Sequence, residues 1–173
     1  NACEFMYNYA KKRDLDALGI SANNYSVEEN SAVLVEVNKY LYSRFISGII
    51  FTGKDFMRAA YINYHRLNTP QWAYLFKNTA LKRFRFRENV SFDDNDGTPI
   101  ILHQLEKVCV LKYSPYYRLI HETNSIKYQK NLDKYKRRKV CSDRLAIMES
   151  LLDYAEHNKL RKRDPFVFFL LRT

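Results

Sequence analysis

The sequence predicts a mostly helical α+β domain, and three observations carry that expectation. Only four glycines and four prolines punctuate 173 residues, which favours long elements over a many-turned β architecture. N-terminal capping signals recur ahead of apolar residues at helical spacing. One segment alternates strictly in polarity ahead of an acidic turn, the mark of a β-hairpin.

Taken in order, residues 3–18 read as a helix closed by Gly19 as its C′ residue, and residues 20–25 as a linker. Ser26 with Glu29 forms a capping box. It opens a long helix to about Ile49, with Leu34, Val37, Leu41 and Phe45 on one face, expected at the centre of the domain. Thr52 with Asp55 repeats the signal for a helix to about Leu67 that turns Phe56, Ala60, Tyr61 and Tyr64 inward. Thr69-Pro70 supplies an N-cap and a first-turn proline for a third helix burying Trp72, Leu75, Phe76 and Ala80.

The period then changes. Lys82-Arg83-Phe84-Arg85-Phe86-Arg87 alternates as a strand does, and Asp93–Gly97 reads as a turn. Thr98–Leu102 returns as the partner strand, or Thr98-Pro99 starts a helix reaching Val110; both readings stay open. A basic helix is expected over 125–139, docked by Tyr128, Leu132 and Tyr135. Another follows over 142–157, carrying Leu145, Met148, Leu152 and Ala155. Asp164-Pro165 is a stop, and Phe166–Leu171, apolar on both faces, reads as a strand covered on both sides. Three helices followed by a hairpin is the order of a winged helix-turn-helix, with no motif residue behind it. The whole, 1–173, reads as one domain: an N-terminal helix and linker (1–25), a helical core with hairpin (26–112), and a basic helix, C-terminal helix and terminal strand (113–173).

Charge says most about partners. Twenty-nine Lys and Arg against 19 Asp and Glu give a net charge of +10, a balance that favours polyanions. Three widely spaced cysteines, Cys3, Cys109 and Cys141, argue against a disulfide framework and for a reducing, intracellular setting in the cytoplasm or nucleus. No stretch approaches the ~18–20 uncharged apolar residues of a membrane span. The sequence opens Asn1-Ala2 rather than on Met, which fits a piece of a longer protein.

Two basic faces are candidate nucleic-acid contacts, for DNA or RNA alike. On the helix at 125–139, Lys127, Lys130, Lys134, Arg137 and Arg138 fall within an arc of about 100°. Cations along one face can each neutralise a phosphate, although an exposed helix also carries solvated lysines without function. On the strand, Arg83, Arg85 and Arg87 would stand about 7 Å apart on one side, suited to phosphate contact, although any half-buried strand needs a polar outer face. Lys159, Arg161, Lys162 and Arg163 form a third cluster, for which the C-terminal end of a helix dipole is a sufficient structural reason and a nuclear-targeting or nucleic-acid patch the alternative.

Catalytic signatures are missing. The acidic turn fails as a calcium loop, because Phe92 would occupy the first ligand position and His103 the place of the bidentate Glu. His65, His103, His121 and His157 do not pair at helical spacing, and there is no CxxC, so neither metal nor cofactor is expected. The expectation is a non-catalytic nucleic-acid-binding domain. The alternatives are a helical protein-interaction or scaffold module of viral or mobile-element type, which includes self-association, and a nuclease built from dispersed acids such as Asp93, Asp96 and Glu106.

Overall fold

The computed structural model describes residues 1–28, 31–37, 46–64, 67–82, 84–113, 116–120 and 134–171. Its architecture is mixed α/β, with six helices and two small sheets among the described residues. The order of elements is not helix, helix, helix, hairpin, so the winged-helix expectation gives way to a sheet-centred one.

The N-terminal helix is shorter than expected. α1 spans Ala2–Lys12, and the chain then enters β1 (Ala17–Gly19). Gly19 is therefore a strand residue rather than a helix cap. A Cβ there would lie 2.8 Å from the Val110 side chain and 2.9 Å from the Tyr74 ring, so glycine is required by close approach. The expected linker and central helix are instead β2 (Ala22–Glu28) and β3 (Ser31–Val37), an antiparallel pair with Glu28 opposite Ser31 and Ser26 opposite Val33. The helical spacing of Leu34 and Val37 was real, but Ala-Val-Leu-Val-Glu-Val is rich in β-branched residues that favour a pleated surface.

β4 (Ile50–Phe51) leads into α2 (Gly53–Tyr64). The Thr52/Asp55 signal was correct: the Asp55 amide donates to the Thr52 hydroxyl at 3.2 Å, and that hydroxyl donates to the Asp55 carboxylate at 2.8 Å. The expected third helix resolves into a 3-10 turn at Gln71–Ala73, β5 (Tyr74–Phe76) and the four-residue α3 (Asn78–Leu81). The expected hairpin is absent from the described residues. Residues 84–87 pair with no strand, and the acidic turn is the first turn of α4 (Asp93–His103), which runs through Thr98 and Pro99. The helical alternative was the nearer one, although α4 stops short of β6 (Val108–Val110).

β7 (Tyr116–Ile120) completes the strands. The four-stranded sheet has the order β4-β6-β1-β5 and the three-stranded sheet β3-β2-β7. β1 runs parallel to β6 and β2 parallel to β7, so the same two stretches of chain stay side by side from one sheet into the next. Two hydrogen bonds bridge the junction, from the Leu111 amide to the Gly19 carbonyl at 2.8 Å and from the Ser21 amide to the Tyr113 carbonyl at 3.3 Å.

Strand alternation splits the core. Ala17, Val108 and Val110 face the larger cluster, built on Phe56, Met57 and Leu102 from α2 and α4. Leu18 and Cys109 face the smaller one with Met6 of α1. α5 (Lys134–His157) is one continuous helix where the sequence suggested two. It buries Ile147 and Leu151 in the larger cluster, while Leu145, Met148 and Leu152, the apolar stripe read from the sequence, are exposed. The expected terminal strand is α6 (Pro165–Leu170). Asp164 caps it by accepting from the Phe166 amide at 2.9 Å, with Pro165 in the first turn. Asp-Pro is thus an N-cap signal that reads equally as a stop.

Candidate nucleic-acid interface

α5 enters the core late. Residues 134–139 are all exposed, and the first buried residue of the helix is Asp143. Five of the first six residues, Lys134, Lys136, Arg137, Arg138 and Lys139, are cationic, so this portion is a charged overhang about 9 Å long at ~1.5 Å rise per residue. Tyr135, expected to dock the helix, is 78% exposed. Lys127 and Lys130, with Tyr128 and Leu132, lie outside the described residues.

The segment 84–92 carries the second set of predicted contacts. Arg83 lies outside the described residues. The Phe84 and Phe86 rings meet edge to face at 5.0 Å between centroids. They press on α4 where Gly97 leaves room, since a Cβ there would fall 2.7 Å from the Phe84 ring. Arg85 is exposed. Arg87 Nε lies 3.3 Å from a carboxylate oxygen of the buried Asp96, so its charge is partly committed within the protein. Burial nevertheless leaves the Asp96 pKa above the usual carboxylate range. Over 84–87 the polarity alternation survives without the strand: the phenylalanine rings meet each other against Gly97, while Arg85 and Arg87 are exposed.

The two cationic segments are fastened to each other. Lys139 Nζ donates to the Asn89 carbonyl at 2.8 Å and to Asp143 at 2.9 Å. Asp143 accepts from the Ser91 amide at 3.0 Å. The next residue, Arg144, sets its guanidinium 5.3 Å from the centre of the Phe92 ring, within cation–π reach. Burial alone would raise the Asp143 pKa, but the Ser91 amide and the Lys139 ammonium hold it below the ordinary value. Asp143 is therefore a charged anchor, set in the helix so that the loop following Arg85 and Arg87 lies against the base of the overhang. Of the cations the sequence named, Arg85, Arg87, Lys134, Arg137 and Arg138 are exposed, while Lys136 and Lys139 were not among them. Sequence reasoning missed this anchor, whose partners are about 50 residues away.

Also missed was a buried polar cluster at the other end of α5. His103 is 5% exposed. Its Nε2 lies 3.0 Å from Asp164 and its Nδ1 2.8 Å from the Tyr154 hydroxyl, while Lys54 Nζ is 3.6 Å from Asp164. With Asp164 as acceptor, the neutral imidazole carries its proton on Nε2 and accepts from Tyr154 through Nδ1. Burial pulls the His103 pKa down against the opposing pull of Asp164. The cluster joins α2, α4, α5 and the cap of α6.

Of the acids named for a nuclease, Asp93 and Asp96 share the first turn of α4, where burial and, after it, the Asp93 charge raise the Asp96 pKa. Asp96 pairs with Arg87 and Asp93 lies 3.4 Å from the Gln71 amide. Among the described residues no group of three His, Cys, Asp or Glu is placed to hold a metal ion. None of the described helices is long and apolar enough to cross a membrane. No protein-family model matches this chain, and neither does any curated protein or solved structure.

Proposed function

We propose that the chain is a non-catalytic, intracellular nucleic-acid-binding domain that grips the phosphate backbone with the first turns of α5 and the adjoining loop. The observation that carries this reading is the Lys139–Asp143–Asn89 clamp, which couples Arg85 on the loop to Lys134 and Arg138 on the overhang. Exposed cations on two fastened elements form a preorganised surface, so little ordering entropy is lost on binding. The net charge of +10 supports it, and three free thiols fit a reducing compartment. Contacts of this kind neutralise phosphates and read no base edges, so affinity should vary little with sequence.

A salt titration tests it. The logarithm of the affinity for a duplex should fall linearly with the logarithm of salt concentration, at ~0.9 per phosphate contact. Replacing Arg85, Lys134 and Arg138 together by Gln should shrink that slope by up to about 2.7. An unchanged slope, or no binding by the native chain at low salt, would overturn the reading. A protein-interaction module is the second reading, favoured by one observation: α5 exposes Leu145, Met148 and Leu152.

A further inference from the structure

A helix that serves only its own domain needs one apolar face, and α5 has two. The inner face carries Ile147 and Leu151, 2% and 0% exposed. The outer row is Cys141, Leu145, Met148 and Leu152, at successive spacings of four, three and four residues. Its leucines and methionine are 62%, 46% and 38% exposed, and Cys141 is an exposed free thiol. At ~100° per residue the row fills an arc of about 60°, centred about 130° round the helix from Ile147. Alternate spacings of three and four are those of the seam between two paired helices.

We propose that this row is the contact between two copies of the chain, with their α5 helices parallel and in register. The charges flanking it select that partner and that direction. Arg144 and Glu149 are exposed on opposite sides of the row, five residues apart, the separation at which flanking charges meet across a parallel pair. Two-fold symmetry makes that contact twice. An antiparallel pairing centred on the row would instead set Arg144 near Leu151 and Glu149 near Ser142, joining no opposite charges.

The same stripe continues toward the N-terminal end of α5 as Lys134 and Arg138. A parallel pair therefore lays two cationic overhangs side by side. Their repulsion weakens the free dimer, and a polyanion bound across both relieves it, so dimerisation and binding strengthen each other by the same factor. This last step rests on the nucleic-acid reading above; the pairing itself does not. With about 17 Å of seam, the dimer is expected to be weak alone and firm on a polyanion.

The test uses the full chain carrying Cys3→Ser, so that Cys141 is its exposed thiol while Cys109 stays buried. Sedimentation velocity and a short bismaleimide cross-linker are applied with and without a short mixed-sequence duplex. A covalent dimer through Cys141, lost in Leu145→Lys/Leu152→Lys and enriched by the duplex, is the expected result. Both leucines are exposed, so that variant should keep the parent melting curve, measured alongside. An antiparallel pair would hold the two thiols about 16 Å apart along the axis. A dimer that does not cross-link at Cys141, or one that survives the double lysine change, overturns the proposal. So does a monomer under every condition, even one that binds duplex with a steep salt slope. A cross-linked dimer indifferent to the duplex upholds the pairing and removes the coupling between pairing and polyanion binding instead.

Discussion

The two halves of α5 meet opposite demands with one continuous helix. Its C-terminal half is held from several sides, with Ile147 and Leu151 in the core and Tyr154 bonded to His103. In its N-terminal half, Lys139 and Asp143 clamp the loop at Asn89 and Ser91, and Arg144 meets the Phe92 ring. The C-terminal half trades exposure for stability and the N-terminal half keeps its charges in water, so the energy of folding and the proposed binding surface are separated along a single element. Substitutions in one half should move the melting curve and leave the salt slope alone, and those in the other half should do the reverse.

The largest effect belongs at the inner end. Phe166, fully buried against Tyr154 and His103, should cost about 3–5 kcal/mol as Ala, read by urea unfolding. The surviving folded protein should bind duplex with the native salt slope; a reduced slope would show that the two halves are coupled after all. Next comes His103→Asn, expected to cost about 1–3 kcal/mol by leaving buried partners unmet. Because the folded pKa of His103 lies below its unfolded value, its contribution is complete above about pH 6.5 and is lost as pH falls from there toward the folded pKa. The native melting temperature should drop across that window and the variant's should be flatter. Equal slopes would remove His103 as the source.

Asp143→Ala should cost about 1 kcal/mol and, by freeing the loop at Asn89 and Ser91, weaken duplex binding without removing a cation from the proposed surface. Unaltered affinity there would deny the clamp its role in holding the surface together. Smallest in stability is the Arg85, Lys134 and Arg138 change to Gln, under about 0.5 kcal/mol per position, although it carries the largest expected change in salt slope.

What the sequence revealed followed the range of the interactions. α2 was legible because Thr52 and Asp55 are three residues apart and act on each other. Lys134, Arg137 and Arg138 of α5 were legible because the helical period is local. The 22–37 strands were not, since two sites three or four residues apart satisfy helix and hairpin readings alike until a partner chooses. Here β7, about 90 residues away, lies alongside β2. The apolar row of α5 was visible as a stripe, but the face that packs was not: Ile147 and Leu151 face the core, and only the packing of α4 and α6 decides between the two faces. Nothing local announces that His103 meets Tyr154 and Asp164, 51 and 61 residues on.

The paired course of β1–β2 and β6–β7 bears on how this chain comes to be folded at all. Each parallel ladder joins stretches roughly ninety residues apart, and closing a loop that long costs entropy before any bond repays it. The β2–β3 pair and α5 need only neighbours in sequence and can form early. The parallel ladders join the most distant stretches, so their closure is expected to be the slow step of refolding, as stopped-flow fluorescence would read it. Since the two ladders share the same two stretches, that step is taken once: β1 meeting β6 delivers β2 to β7, and both sheets are completed together.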